Sequence, residues 1–286
     1  YSTDNIIIST LKGSLLTGYL SNYTLITGQL NTVVNQVLSS LQATFGNYIN
    51  TTEDKTERLK MTDNYFCVNF CIGNFCMICF SILAQPFIKL FFGERMLLPF
   101  STALWLGINL MLTFLIQLPS QVFVIYKLFR YDRPIIIISA GLNIIISVVL
   151  VNMLGINGVL IGTFVTSLIY LFSRLYVIAK YVYDVKYSYY MKKILYYGII
   201  SIFTLVISYF ILENINGDGI IWFIIKTIVV VILALFLTSF FLSFSGEFEF
   251  LKNKLLPTNV RNYVNKYTLG IGSAFVIGMS MILSIL

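Results

Sequence analysis

Long, uninterrupted runs of apolar residues dominate the chain and alternate with short polar segments. A helix needs about 20 consecutive apolar residues to cross a bilayer. Because apolar residues fill these runs without a strict alternation, they predict transmembrane helices rather than half-buried strands. After a leading stub at 1–12, eight runs are long enough to span: 15–49, 64–91, 97–125, 134–154, 156–178, 194–212, 219–244 and 268–286.

The composition places these helices in a membrane. Hydrophobic residues make up 58% of the 286 residues and charged residues only 11%, whereas a soluble domain carries about a quarter charged residues. The sequence therefore predicts an all-α integral membrane protein, a multi-span helical bundle. The apolar pattern is already under way near Tyr1, so we expect a further N-terminal part before this chain.

The basic residues predict the orientation of the helices, because cytoplasmic loops of membrane proteins are enriched in Lys and Arg. Alternate connections are basic, and we assign them to the cytoplasmic side. They hold Lys55, Arg58, Lys60, Lys127, Arg130, Arg133, Lys180, Lys186, Lys192, Lys193, Lys252, Lys254, Arg261 and Lys266. The other connections hold only Lys12, Lys89 and Arg95. This basic pattern favours a membrane as partner over nucleic acid.

The segment 15–49 is unusually polar for a membrane helix. One face carries Asn22, Gln29, Thr32, Gln36 and Ser40 at helical spacing, and Asn31, Asn35, Ser39 and Gln42 widen it. Amides facing lipid would be left without hydrogen bonds at a cost of kcal/mol each. Two interpretations remain, the wall of a water-filled cavity and hydrogen bonding between helices.

Further polar residues lie within the other predicted spans. The segment 97–125 holds Asn109, Gln117 and Gln121 beside Pro119, which predicts a kinked helix with a polar side. Asp4 and Asn5 lie in the stub, and Lys12 at its outer end. Lys226 is a candidate cation inside 219–244, whereas we expect Arg174 to extend to the cytoplasmic interface.

Catalytic and cofactor motifs are scarce. The chain has no histidine, and it contains no P-loop, zinc-protease or nucleophile-elbow motif. Cys76 and Cys79 match C-x-x-C within an apolar run, where packing explains small cysteines better than a redox or metal site does. We therefore expect neither a cofactor nor a metal, and a protein that is not an enzyme.

Several stretches near the N-terminus resemble a known family. Thr3-Asp4-Asn5-Ile6-Ile7-Ile8-Ser9, Gly18-Tyr19-Leu20-Ser21-Asn22-Tyr23, Gly46-Asn47, and Gln85-Pro86-Phe87-Ile88 with Gly93 look like Wzx-type polysaccharide flippases. These belong to the superfamily of multidrug extruders, oligosaccharidyl-lipid flippases and polysaccharide exporters. The resemblance covers about the first third of the chain, and the rest agrees in its helix pattern.

The resemblance implies a two-lobe fold around a central cavity, like that of the multidrug and toxin extruders. Residues 1–244 would form the C-terminal lobe, from the end of the seventh helix to the fourteenth. Residues 245–267 would be a cytoplasmic polar segment and 268–286 an extra terminal helix. The family flips undecaprenyl-pyrophosphate-linked oligosaccharide across the bacterial cytoplasmic membrane by alternating access, for capsule or O-antigen assembly.

Implied partners are this lipid-linked substrate, the bilayer, the missing N-terminal lobe and a coupling ion, either proton or sodium. The candidate cavity residues are Asp4, Asn5, Lys12, Asn22, Gln29, Thr32, Gln36, Asn109, Gln117, Gln121 and Lys226. Three alternatives remain. One is a drug or cation exporter of the same superfamily, and another is a membrane-embedded polymerase or glycosyltransferase. The third is a purely structural membrane subunit, which the polar segment 15–49 argues against.

Overall fold

The computed structural model describes residues 2–215, 217 and 219–244, and every regular element in this part of the chain is helical. The α-helices are α1 Ser2–Lys12, α2 Ser14–Thr51, α3 Lys55–Phe92, α4 Phe100–Ile125, α5 Phe129–Leu154, α6 Ile156–Val177, α7 Ser188–Glu213 and α8 Ile220–Leu242. A 3-10 turn at Glu94–Met96 precedes α4, and a π-helical turn at Ile178–Tyr183 continues α6. The predicted segments 245–267 and 268–286 lie outside the described residues.

Six of the described helices are long and apolar enough to cross a membrane. They are α3, α4, α5, α6 with its π-helical extension, α7 and α8, and each corresponds to one predicted span. The predicted span 15–49 is also helical, as α2, but it is too polar to belong to this group. Its crossing of the membrane stays a prediction.

Three helices begin earlier than the apolar runs. The helices α3, α5 and α7 start at Lys55, Phe129 and Ser188, whereas the runs start at 64, 134 and 194. Hydropathy marks where a helix leaves the membrane, not where its backbone hydrogen bonding ends. The start of α3 is set by Asp54, whose Oδ1 accepts a hydrogen bond from the Thr56 N–H at 2.8 Å. This cap also lowers the pKa of Asp54.

The helices α3 and α4 form the centre of the bundle. In the most apolar part of α3, 67% of the residues are buried, against 11% for α5 at the periphery. Gly107 of α4 lies so close to α3 that a Cβ atom there would come within 2.3 Å of the Ser81 Oγ. Small residues allow this close approach between membrane helices. Around this pair, α2, α7 and α8 pack on α3, and α6 packs on α4.

Glycines with positive φ separate consecutive helices at the predicted outer turns. Gly13 lies between α1 and α2 with φ 97°, and Gly155 lies between α5 and α6 with φ 61°. Residues with a Cβ atom rarely adopt this conformation. The one-residue reversals therefore depend on glycine, and they fold α1 against α2 and α5 against α6.

We expect the connection before α7 to lie in the cytoplasm. In a background that lacks the four native cysteines, a Lys192→Cys variant should react with an impermeant thiol reagent only after the cells are permeabilised. An Arg95→Cys variant, in the exposed turn before α4, should react in intact cells. The reverse pattern would overturn the orientation predicted from loop charge.

Candidate functional site

The polar residues of α2 divide into two groups that point in different directions. Gln29, Thr32 and Gln36 are exposed on the side of α2 that faces away from the described bundle. Leu30 and Val34, on the other side, pack against the cluster of Leu38, Cys76, Leu110 and Phe114. The predicted polar face of α2 is therefore present only in part: Gln29, Thr32 and Gln36 point outward, whereas Asn35 and Gln42, which were expected to widen this face, turn toward α4.

The second group forms a chain of side-chain amides between α2 and α4. The Asn35 Nδ2 donates to the Asn31 Oδ1 at 3.1 Å, and Gln117 donates to Asn35. The Gln42 Nε2 donates to the Gln117 Oε1 at 3.4 Å. At the end of the chain, the Gln121 Nε2 donates to the Gln42 Oε1 at 2.8 Å. Of the two interpretations of the polar residues, hydrogen bonding between helices therefore applies to this group, which includes the candidates Gln117 and Gln121.

Other candidate residues lie apart from this face. The Asn109 Nδ2 donates to the Leu160 carbonyl of α6 at 2.9 Å, and the side chain is buried. Lys226 lines a groove of about 370 Å³ whose other residues include Gln85, Lys89 and Phe223. No lining residue of this groove belongs to α2. Asn22 is half-buried on α2, and Lys12 is exposed at the end of α1.

Asp4 lies in a polar cluster between α1, α5 and α6. Its side chain is buried, and the Thr163 Oγ1 donates to its Oδ2 at 3.2 Å. The Asn143 Nδ2 donates to the Thr163 Oγ1 at 3.3 Å and to the Thr166 Oγ1 at 3.1 Å. The cluster thus joins a carboxylate to an amide and two hydroxyls.

Two further polar atoms belong to the same three helices. Within the described residues, the buried Asn5 Oδ1 and Ser147 Oγ have no hydrogen-bond partner. Ser147 lies one helical turn from Asn143 on α5, and it packs against Gly162 of α6, where a Cβ atom would come within 2.5 Å of its Oγ. Buried polar atoms normally have a partner, so Asn5 and Ser147 retain unused hydrogen-bonding capacity.

Arg174 does not extend to the interface, and the prediction for it was wrong. Its side chain is 5% exposed and forms a two-pronged ion pair with Asp132, with Nε–Oδ1 at 2.9 Å and Nη2–Oδ2 at 2.8 Å. Its Nη1 donates to Ser120, and its guanidinium carbon lies 4.1 Å from the ring centre of Tyr170. The ion pair forms because α5 begins early enough to place Asp132 beside α6.

A second buried ion pair joins α3 to α7. The Lys193 Nζ lies 2.7 Å from the Asp63 Oδ1, and both side chains are 8% exposed. Tyr189 donates a hydrogen bond to the other Asp63 oxygen. The sequence predicts Lys193 only as a cation of a cytoplasmic connection, and it predicts no role for Asp63. The signal was available, since Asp63 is the acidic residue nearest to the second apolar run.

The cysteines are free in the structure. Cys67, Cys71 and Cys76 are buried and Cys79 is half-buried, without a disulfide. Among the described residues, no group of three or more cysteine or carboxylate side chains is close enough together to hold a metal ion.

In the part of the chain that the structure describes, six apolar spans and a mostly buried central helix pair indicate a multi-pass, helical membrane protein. Comparison with protein-family models, curated proteins and solved structures finds no significant match to this chain. The more specific function therefore rests on the residues themselves.

Proposed function

We propose that this chain is the second lobe of a transporter in the bacterial cytoplasmic membrane. The transporter moves lipid-linked oligosaccharide across the bilayer by alternating access and does not catalyse a covalent reaction. Its substrate carries an undecaprenyl-pyrophosphate anchor and serves surface polysaccharide assembly. The proposal combines the family resemblance of the N-terminal third with the polar face of α2.

The contrast between two exposed helix faces carries this proposal. Most exposed positions of α5 are large and apolar, including Ile137, Ile145 and Met153, as expected beside lipid tails. The outward face of α2 presents Gln29, Thr32 and Gln36 along one stripe, although the exposed Leu25 and Val33 lie on the same side. A surface of this kind is stable beside water or a polar partner, so we assign it to a cavity shared with a first lobe.

The chemistry of this face suits a sugar. An oligosaccharide needs hydrogen-bond donors and acceptors to replace its water shell, and side-chain amides and hydroxyls supply both, directly or through bridging water. Lys12, exposed where α1 meets α2, can contribute positive charge toward a pyrophosphate at the outer end. Lys226 is on the α3–α8 side of the bundle, and its contribution would require the substrate to pass along that groove.

The amide chain between α2 and α4 would hold the cavity wall in place. Its hydrogen bonds fix the rotation of α2, so that Gln29 and Gln36 cannot turn inward to find partners within the lobe. Pro119 lies in α4 beside this chain and removes one backbone hydrogen bond. We therefore propose that α2 moves as one unit with the part of α4 that holds Gln117 and Gln121.

Coupling to an ion would use the Asp4 cluster. A single carboxylate with neutral oxygen atoms around it can bind a proton or a sodium ion, since hard cations prefer oxygen ligands. Binding would neutralise Asp4 and favour the tight packing of α1 against α5 and α6. Release of the ion would leave a buried charge, which favours separation of these helices.

A drug or cation exporter of the same superfamily is the second candidate. Such a protein would use a buried carboxylate in this lobe, and Asp4 is 6% exposed. The two proposals differ in what the α2 face contacts. A sugar requires the stripe of amides, whereas an organic cation requires the carboxylate and aromatic surface.

The accessibility of α2 tests the proposed cavity. In the full-length protein without native cysteines, Cys variants at Gln29, Thr32 and Gln36 should react with water-soluble thiol reagents. Variants at Leu30 and Val34, about half a turn away, should not react. Gln29→Leu and Gln36→Leu should insert normally but transport less, because donors and acceptors are lost from the wall.

Ile145→Cys provides a matched control for exposure. Ile145 is 63% exposed in the structure, yet it would face lipid and should stay unlabelled. If Ile145→Cys and Gln36→Cys react equally, or if neither face of α2 reacts, α2 does not line a wet cavity. The amides of α2 would then serve only to hold helices together.

A further inference from the structure

A second groove lies at the opposite, predicted cytoplasmic, end of the bundle between α5 and α6. Its volume is about 610 Å³, within the range of about 300–1,000 Å³ that is usual for small-molecule sites. The α6 wall is one helical stripe, Ile169, Phe172, Ser173 and Tyr176. The α5 wall comes from Arg130, Tyr131, Pro134 and Ile135, and Tyr187 contributes from the segment before α7.

Positive charge is concentrated at the mouth of this groove. Arg130 lines it directly, and the Lys180 Nζ lies 5.8 Å from the ring centre of Tyr176, another lining residue. Asp132 follows Arg130 by two residues, but its carboxylate is held by Arg174. Within the described residues, no carboxylate forms a salt bridge with Arg130. The groove therefore pairs apolar walls with an unneutralised cation.

The tyrosines indicate the depth of the groove in the membrane. Tyr131, Tyr176 and Tyr187 line it, and Tyr131 stacks on Tyr181 with ring centres 4.6 Å apart. Tyrosine is enriched at the boundary between lipid tails and headgroups. The groove thus opens where a headgroup phosphate would meet Arg130 while an acyl chain follows Ile135, Ile169 and Phe172 inward.

We propose that this groove binds one anionic phospholipid of the cytoplasmic leaflet, with its phosphate on Arg130 and an acyl chain between α5 and α6. Basic sites between helices on this side suit anionic headgroups. The lipid would hold the inner ends of α5 and α6 in a fixed separation. The proposal depends on the predicted orientation and is independent of the transported substrate.

Native mass spectrometry of the full chain in a neutral detergent tests this site. The protein is offered phosphatidylglycerol or phosphatidylcholine with identical acyl chains. We expect wild-type protein to retain phosphatidylglycerol preferentially. Arg130→Gln should weaken phosphatidylglycerol retention by roughly fivefold, as expected for one cation near a lipid phosphate. It should affect phosphatidylcholine less, because the choline group offsets the charge of its phosphate. Arg95→Gln, which removes an exposed cation at the other end of the bundle, should have no effect.

A variant that fills the groove distinguishes lipid binding in the groove from general electrostatic attraction to the basic end of the bundle. Ser173→Phe keeps Arg130 but occupies the path of the acyl chain, so it should also lower phosphatidylglycerol retention. If Ser173→Phe binds normally, or if Arg95→Gln weakens binding as much as Arg130→Gln, the groove is not the lipid site. Preferential retention of a prenyl pyrophosphate over phosphatidylglycerol would also overturn the proposal, because it would assign the groove to the substrate.

Discussion

An Arg174→Leu variant is expected to lose about 3–5 kcal/mol of stability, since that is the usual cost of breaking a buried ion pair. The change leaves the Asp132 carboxylate, whose side chain is 15% exposed, without its cation. It also removes the hydrogen bond to Ser120 and the contact with Tyr170. Because these partners lie on α4, α5 and α6, the loss should loosen three helices together. Thermal unfolding in detergent micelles measures the effect.

Two further variants make this result specific. The double variant Arg174→Leu with Asp132→Leu should recover part of the loss, because no uncompensated charge remains and the new side chains are apolar. Glu94→Gln breaks the Lys89–Glu94 pair, in which the glutamate is 72% exposed. It should cost less than about 1 kcal/mol. If Glu94→Gln and Arg174→Leu destabilise the protein equally, the Arg174 cluster is not a structural centre.

The membrane helices could be predicted well from the sequence. Apolar runs and loop charge located all six spans of the described region, because burial in lipid requires a continuous apolar segment. The starts of α3, α5 and α7 could not be found in this way. Their first turns lie beyond the apolar runs. A side-chain cap, Asp54, marks the start of α3, whereas α5 and α7 begin without a side-chain cap.

The site could be predicted only in part. Helical spacing placed Gln29, Thr32 and Gln36 on one face, and the structure leaves that face exposed. Helical spacing could not show that Asn35 and Gln42 turn toward α4, since that depends on how two helices pack. Nor could it join Asp4 to Thr163, which is 159 residues away. Spacing along one sequence does not predict contacts between residues this far apart; the folded structure is needed to identify them.

Replacing Asp4 by Asn is expected to abolish coupled transport while the fold is retained. The amide has nearly the same shape and can still accept a hydrogen bond from Thr163, but it can neither bind a proton nor attract a cation. Export should fall to nearly the level of a strain that lacks a flippase. Surface polysaccharide in such a strain, with the matching sugar pathway and the full-length variant protein, measures the effect.

Matched variants separate loss of charge from loss of packing. Thr163→Ser keeps the hydroxyl beside Asp4 and should transport, whereas Thr163→Val removes it and should transport less. Asp54→Asn is the control for changing a carboxylate to an amide, since Asp54 is exposed and Asn caps a helix equally well. Full transport by Asp4→Asn would exclude the Asp4 cluster as the coupling site.

The central claim is that this chain forms one lobe of a polysaccharide flippase and needs the other lobe to work. It is tested most directly by surface polysaccharide in a flippase-deficient bacterium with the matching sugar pathway. The chain joined to its first lobe should restore normal polysaccharide, and the 286-residue chain alone should restore none at the same membrane level. Normal polysaccharide from this chain alone, or none from the joined protein, would contradict the claim.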